Sequence, residues 1–210
     1  DRPYSSERER IEAHVRGLRA DLYKRTNERS TDERFVQEAV KDLDKVPHDV
    51  AIPDCVDALL VAAAYYHHRG SNMVHGIEAA ASAVKKCRYG LKASGPGAPT
   101  TKVLKQLLRK ALTVQAAVEA HAGNPGAAFN SLEQALAVAE ENKDSVGFTR
   151  ALQNVASVLL ESNQYHAAIK ANEQVISRAA DDKELHNLLA PAYANIAFCH
   201  LSLEDEAEIE

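Results

Sequence analysis

Apolar residues recur at helical spacing over most of the chain. Near the N-terminus, Ile11, Val15, Leu18 and Leu22 follow one another at intervals of four, three and four residues, with polar or small residues between them. Because an α-helix completes a turn about every 3.6 residues, these four side chains share one face. The pattern predicts an amphipathic helix over roughly Ser5–Thr26.

Two further helices are marked by residues that begin and end them. The second starts after Thr31 or Asp32, which are residue types that cap helix N-termini, and must end before Pro47. The third opens at Pro53, since proline suits the first turn of a helix, and closes at Gly70. Apolar residues between these signals keep helical spacing, so each segment is predicted to bury one face.

A fourth helix is predicted from about Asn72 to Lys92, and it is followed by the longest cluster of Gly and Pro in the chain, residues 94–99. These breaks divide the sequence into three predicted segments. They are an N-terminal helical hairpin over 1–46, a divergent hairpin with its loop over 47–99, and a series of repeats over 100–210.

From residue 100 onward the sequence repeats itself with a period of 40 or 41 residues. A large residue is followed four positions later by alanine, whose small side chain lets a second helix approach closely. Periods of this size indicate stacked helix hairpins, and after the turn of the two clearest hairpins the second helix is predicted to begin at Ala128 and at Ala168. The equivalent positions are Leu112, Ala116, Gly123, Ala128, Leu132 and Ala135, then Leu152, Ala156, Asn163, Ala168, Asn172 and Val175, then Tyr193 and Ala197. A weaker register 52 residues before the first set runs through Leu60, Ala64 and Ala80.

This spacing resembles the tetratricopeptide-repeat (TPR) signature, most closely over Leu152–Ile169 and again over Tyr193–Ala197. The repeat length is similar to that of the kinesin light chain type. The resemblance implies an all-α fold, a right-handed superhelix of about nine to ten helices stacked as antiparallel hairpins. Gln115, Glu119 and Asn172 depart from the pattern, because apolar residues are usual at those positions. The last repeat is incomplete, so we expect the chain to belong to a larger protein or complex.

In TPR proteins the first helix of each hairpin lines a concave groove that holds a partner segment, and the resemblance implies such a groove here. Asn154 and Asn195 stand 41 residues apart, where an asparagine commonly bonds the backbone of a bound peptide. An equally good interpretation is that both asparagines lie on a solvated helix face or form hydrogen bonds to a neighbouring hairpin. Of the residues that clamp an acidic C-terminus in chaperone-binding TPRs, only Asn154 has an equivalent. The implied groove residues are Lys110, Thr113, His121, Arg150, Asn154, Ser157, Asn195 and Phe198.

Charge is segregated along the chain. The net formal charge is −5, yet residues 79–118 carry eight basic and no acidic side chains, whereas residues 119–210 carry five basic and fifteen acidic ones. A block of one sign can steer a charged partner towards it. We interpret this block either as a solvated face that pairs with the acidic region or as a docking patch for an acidic protein segment. Its members are Lys85, Lys86, Arg88, Lys92, Lys102, Lys105, Arg109 and Lys110.

The sequence carries no enzymatic motif of the metalloprotease, serine-hydrolase, phosphate-loop or dinucleotide-binding kind. His67 and His68 are adjacent on a predicted helix and point about 100° apart, so they do not easily share a tetrahedral ion with His75. Cys199 and His200 fail as a catalytic dyad for the same reason. The chain is therefore predicted to be non-enzymatic, with no metal and no cofactor.

Cysteine usage and hydropathy set expectations about the compartment. The three cysteines form no C-x-x-C pair, which favours reduced thiols and a cytoplasmic location. The longest uninterrupted apolar run, Ala58–Tyr66, is too short to span a bilayer, so no membrane insertion is expected.

Together these patterns predict an interaction scaffold or adaptor that binds another protein or peptide segment in a TPR-like groove, with the basic patch for an acidic partner. Two alternatives remain open. The chain could be a structural subunit of a large assembly, in which the helices serve only as packing surface. It could also bind RNA through the basic block, which we expect less because only Tyr89 interleaves the charges for base stacking.

Overall fold

The computed structural model describes residues 6–26, 32–94 and 98–209. Every regular element in those ranges is helical, which confirms the all-α prediction. The predicted helix start at Ser5, the alternative cap Thr31, residues 95–97 of the predicted loop and the final Glu210 lie outside the described residues. The helices are α1 (Glu7–Thr26), α2 (Glu33–Lys45), α3 (Ile52–Arg69), α4 (Met73–Ala93), α5 (Pro99–His121), α6 (Pro125–Glu141), α7 (Ser145–Glu161), α8 (Tyr165–Ala179) and α9 (Leu189–Ile209), with a short 3₁₀ turn at His186–Leu188 before α9.

The first helix boundaries follow local backbone chemistry. Asp32 caps α2, since its side chain accepts a hydrogen bond of 3.0 Å from the backbone N–H of Arg34. Gly70 ends α3 at a φ of 63°, a left-handed conformation that glycine adopts without steric cost. Both boundaries agree with the sequence prediction.

Three tight turns with the same backbone conformation connect α5 to α6, α6 to α7 and α7 to α8. Gly123, Lys143 and Asn163 follow one another at intervals of twenty residues, and all three have positive φ, at 81°, 53° and 57°. In each turn the next residue donates its N–H to the carbonyl five positions earlier, as Asn124 does to Glu119 at 2.9 Å. The 40-residue repeat of the sequence is therefore two helix-plus-turn units of equal length.

The compactness of these turns corrects one prediction. The sequence pattern places the start of the second helix of the two clearest hairpins at Ala128 and Ala168. These helices begin three residues earlier, at Pro125 and Tyr165, because each turn uses only three residues. Proline fits the first turn of α6 because its missing N–H would have no partner inside the helix.

The described helices form two layers. The odd-numbered helices contact one another in succession, α1 with α3, α3 with α5, α5 with α7 and α7 with α9. Each even-numbered helix packs against the helices before and after it in sequence, but within the described residues only α2 and α4 make more than marginal contact with each other. The even layer is therefore more open than the odd layer, with space between successive even helices.

Small residues bring the layers together. The helix contacts contain many buried alanines, including Ala63, Ala80, Ala83, Ala111, Ala116, Ala128, Ala135, Ala156 and Ala168. Gly76 of α4 marks a close approach to α3 and α5, since a Cβ atom there would lie 2.9 Å from Cγ1 of Val118 and 3.0 Å from Cβ of Tyr66. One contiguous hydrophobic core extends from Val15 in α1 to Ala151 in α7, and it crosses all three predicted segments.

We expect Gly76→Ala to lower the free energy of unfolding by about 1 kcal/mol, because forced repacking of Val118 and Tyr66 outweighs the gain in helix propensity. Gly17→Ala is the matched control, since a Cβ at this α1 position meets nothing within 4 Å. It should raise the free energy of unfolding by about 0.5–1 kcal/mol. Urea unfolding followed by circular dichroism measures both, and equal effects at the two sites would contradict close packing at Gly76.

Candidate interaction surfaces

The predicted groove residues lie on odd-layer helices. Arg150, Asn154 and Ser157 follow one another at intervals of four and three on α7, and they form a stripe that is at least partly exposed. On α5, Lys110 and Thr113 occupy a corresponding stripe, which ends at the exposed His121. Helices α5 and α7 contact each other, so the structure places these two stripes on neighbouring helices of one layer.

Asn154 and Asn195 are equivalent in sequence but differ in their contacts. Asn154 Nδ2 donates to the Arg150 carbonyl within α7, at 2.9 Å. Asn195 Nδ2 instead lies 3.4 Å from Oδ1 of Asn172 on α8, which is fully buried and also within 3.4 Å of Gln153 Nε2. Asn195 thus contacts the preceding hairpin and belongs to a polar network between α7, α8 and α9.

Helix α9 presents large apolar side chains to solvent. Phe198, one of the predicted groove residues, is 52% exposed. Tyr193 and Leu201 are exposed to a similar degree on the same helix. Such a concentration on one helix is typical of a surface that makes contact with another molecule.

Lys86 does not belong to the predicted basic surface, which corrects the sequence interpretation. It is 2% exposed, and its Nζ donates to the Val46 carbonyl at the end of α2, at 3.0 Å. Burial lowers the pKa of Lys86. Neighbouring residues on a helix point about 100° apart, so Lys85 faces solvent while Lys86 faces the carbonyl end of α2, where a cation is favoured.

Two members of the basic block pair with the acidic part of the chain. Arg109 is 9% exposed, and its Nε lies 3.1 Å from Oδ2 of Asp144 in the α6–α7 turn. Lys105 Nζ lies 2.7 Å from Oε1 of Glu141. Lys102 and Lys110 are exposed on the same helix. The block is therefore partly used to join α5 to the end of α6.

The remaining basic residues border a cleft that the sequence alone did not predict. It has a volume of about 500 Å³ and lies between the even-layer helices α4 and α6, over α5. Lys85, Arg88 and Lys92 of α4 line one wall, with Tyr89 beside them. Asn130, Ser131 and Gln134 of α6 line the opposite wall, and Leu112, Gln115 and Glu119 of α5 form the floor.

Hydrogen bonds order the cleft. An Arg88 Nη2–Gln134 Oε1 bond connects the two walls, and Gln134 Nε2 donates to Oδ1 of Asn130 at 2.8 Å. Glu119, 9% exposed, accepts a bond of 3.0 Å from Asn124 Nδ2. One sequence signal pointed here, since Gln115 and Glu119 are polar at positions that are usually apolar in such repeats.

Cysteines and histidines are the candidate catalytic and metal-binding side chains. All three cysteines are buried free thiols, and burial raises the pKa of Cys55 to about 11 and that of Cys87 to about 12. The His67 ring lies 5.1 Å from the His121 ring, and His67 Nδ1 is buried without a hydrogen-bond partner. In the described part of the chain, no group of three or more His, Cys, Asp or Glu side chains is arranged to hold a metal ion.

Comparison of the sequence with models of known protein families and with curated proteins finds no match in either set. Over the described ranges, none of the helices combines the length and apolar character needed to cross a membrane.

We expect Asp144→Ala to destabilise the fold by about 2–3 kcal/mol, because it removes the cap of α7 and leaves the mostly buried Arg109 without its partner. Asp144 Oδ1 accepts from the Gly147 N–H at 2.8 Å in addition to the ion pair. Glu141→Ala, which breaks the exposed pair with Lys105, should cost at most about 1 kcal/mol. Urea titration of both variants checks this, and a small loss at Asp144 would show that Arg109 needs no neutralisation.

Stability should also fall as the pH drops below neutrality. Burial lowers the pKa of His67, and the neighbouring His121 and His68 lower it further. Below the ordinary histidine pKa of about 6.5, the unfolded chain therefore binds a proton that native His67 does not, and folding loses free energy. His67→Gln should make the decline in unfolding free energy between about pH 7.5 and 5.5 shallower. The exposed His166→Gln should leave the decline unchanged, and an equal effect of both variants would exclude His67 as its source.

Proposed function

We propose that this chain is a non-enzymatic interaction scaffold of TPR-like hairpins that binds an extended segment of a partner protein across its odd layer. The observation that carries the proposal is the placement of two cations, Lys110 and Arg150, at equivalent positions of neighbouring helices. They are 40 residues apart, occupy the same position on the contacting helices α5 and α7, and are both exposed. Packed helices lie about 8–10 Å apart, so an acidic segment that crosses from α5 to α7 would meet both cations.

The rest of the odd layer supports this interpretation. Since the odd helices pack more closely than the even ones, we infer that the stack curves around the odd layer, which would form the concave side. Asn154 offers an amide that can both donate to and accept from a peptide backbone. Phe198 would supply an apolar anchor on α9, of the kind that dominates binding energy in many interfaces.

Chemistry at the cysteines favours a binding role over a catalytic one. Thiols buried with raised pKa values stay protonated at neutral pH and are poor nucleophiles. Their unpaired state supports a reducing compartment such as the cytoplasm. Nucleic acid is a weaker candidate partner, because Lys86 and Arg109 of the basic block are buried within the protein.

The exposed apolar side chains of α9 favour one second candidate, a structural subunit of a larger assembly. Tyr193, Phe198 and Leu201 would then be covered by another helix or subunit, and the odd layer would hold no peptide. The two candidates differ in whether the odd layer has affinity for isolated peptides.

Selection of a random dodecapeptide display library on the wild-type chain tests the proposal, with each enriched peptide then titrated by calorimetry. Arg150→Ala/Asn154→Ala should weaken binding of the enriched peptides by about tenfold or more. The matched control is Lys170→Ala/Gln174→Ala, which removes a cation and an amide four residues apart from exposed positions of α8. The control should change the affinity by less than about twofold.

Failure of the selection has a defined meaning. If no peptide is enriched, or if the enriched peptides bind both double variants as they bind the wild type, the odd layer is not a peptide groove. The structural-subunit interpretation would then be favoured. Circular dichroism of each variant establishes that it is folded before binding is compared.

A further inference from the structure

The cleft between α4 and α6 lies on the other side of α5 from the proposed groove. Its floor residue Gln115 and the groove residue Thr113 are two positions apart on one helix, which turns them about 200° away from each other. The cleft residue Glu119 and the groove residue Lys110 are nine positions apart, which also places them on opposite sides of α5. The cleft is therefore a separate surface, and a ligand bound there is independent of the proposed function.

The next repeat provides an internal comparison for the floor of the cleft. With the 40-residue period, Gln115 and Glu119 correspond to Val155 and Leu159. Those two side chains are partly buried, and Val155 packs against a hydrophobic cluster of α5, α6 and α7, whereas Leu159 packs against one of α7, α8 and α9. The same backbone position is thus filled with apolar side chains in one repeat and lined with polar ones in the other. Apolar residues are compatible with this fold at the floor, so packing does not require Gln115 and Glu119.

The α4 wall of the cleft is positively charged, whereas the equivalent positions on α6 hold a neutral and an acidic residue. Residues 52 positions after Lys85 and Arg88 are Ala137 and Glu140 of α6, whereas the position 52 residues after Lys92 lies beyond the end of α6, in the α6–α7 turn. The three cations of α4 are exposed and follow one another at intervals of three and four, so they form a stripe about 10 Å long. Of the two repeats compared, the one with the polar floor carries the basic wall.

The remaining chemistry of the cleft defines what it can hold. Arg88 uses one guanidinium nitrogen on Gln134, and a guanidinium group has five N–H donors in all. The amides of Gln115, Asn130 and Gln134 can each donate and accept. Glu119 in the floor is an acceptor that repels anions. A compact anion such as phosphate would meet this carboxylate, whereas an extended peptide can turn its backbone N–H groups towards it.

We propose that the α4–α6 cleft binds an acidic peptide segment in extended conformation. The acidic side chains of the segment contact Lys85, Arg88 and Lys92, while its backbone bonds with the amides of both walls and with Glu119. Charge complementarity and the alternating donors and acceptors of the cleft select this occupant. The chain would then hold two protein segments at once, one on each layer.

Retention of defined peptide pools on the immobilised full chain tests this site. One pool contains octapeptides with Glu or Asp at four positions and random neutral residues at the others. The second pool is identical except that Gln and Asn replace the acids. The acidic pool should be retained well above the neutral one. The retained peptides, sequenced and labelled with fluorescein, should bind more weakly as salt rises, because added ions screen the contact with the α4 cations.

Matched variants separate binding in the cleft from general attraction by net charge. Lys85→Gln/Lys92→Gln should weaken binding of the retained peptides by about tenfold or more, whereas Lys170→Gln/Lys183→Gln, with the same change in charge at exposed sites elsewhere, should change it by less than about threefold. Ala127→Trp leaves the charge unchanged and fills the cleft from its α6 wall, so it should also abolish retention. Because the proposed groove on the odd layer also attracts acidic segments, these variants are made in the Arg150→Ala/Asn154→Ala background, which should itself still retain the acidic pool above the neutral one.

Three results would overturn the proposal. They are equal retention of the two pools, equal weakening by the two lysine pairs, and full binding to a folded Ala127→Trp variant. Loss of binding in Arg150→Ala/Asn154→Ala alone would place the acidic peptides on the odd layer instead, and would leave the proposed groove standing without a second site. Circular dichroism and thermal unfolding of each variant precede the binding measurements.

Discussion

The structure depends on how closely neighbouring helices can approach one another. Alanine and glycine occupy many of the buried helix contacts, and at Gly76 even a single added carbon atom would collide with two neighbouring helices. Close contact is possible for the odd-numbered helices, which form a continuous layer. The even helices pack onto that layer but mostly not onto each other, and the space between them is a direct consequence. Such spaces are either filled by large apolar side chains or remain as clefts.

The fold shows what part of the segregated charge does, which the sequence alone does not. Asp144 both caps α7 and pairs with Arg109, and glycine suits position 147 because a Cβ atom there would collide with both side chains of that pair. This cluster locks α5 to the α6–α7 turn. Part of an apparently functional block of charge is thereby used for folding, and Lys86 is used in the same way at the end of α2.

Local signals were sufficient to predict much of the fold. The helices up to α4, the Asp32 cap and the Gly70 stop depend on residues within one or two turns, so a single sequence reveals them. Contacts between helices could not be predicted in this way. Adjacent lysines at 85 and 86 look alike in sequence, and only the position of α2 makes one of them buried. Asn195 likewise contacts the preceding hairpin because α8 places the buried Asn172 beside it.

The strongest functional signal is a difference between two copies of the same geometry. A repeat protein uses one backbone arrangement several times, so a position that tolerates Val155 and Leu159 in one repeat shows what folding requires there. Gln115 and Glu119 at the equivalent positions give up that apolar burial, and a hydrogen bond from Asn124 offsets part of the cost of burying the Glu119 carboxylate. The accompanying change at the wall is from Ala137 and Glu140 on α6 to Lys85 and Arg88 on α4, and among the described residues it contributes one bond between α4 and α6, from Arg88 to Gln134. Polar floor and basic wall occur together in a single repeat, and a ligand that needs both accounts for that coincidence.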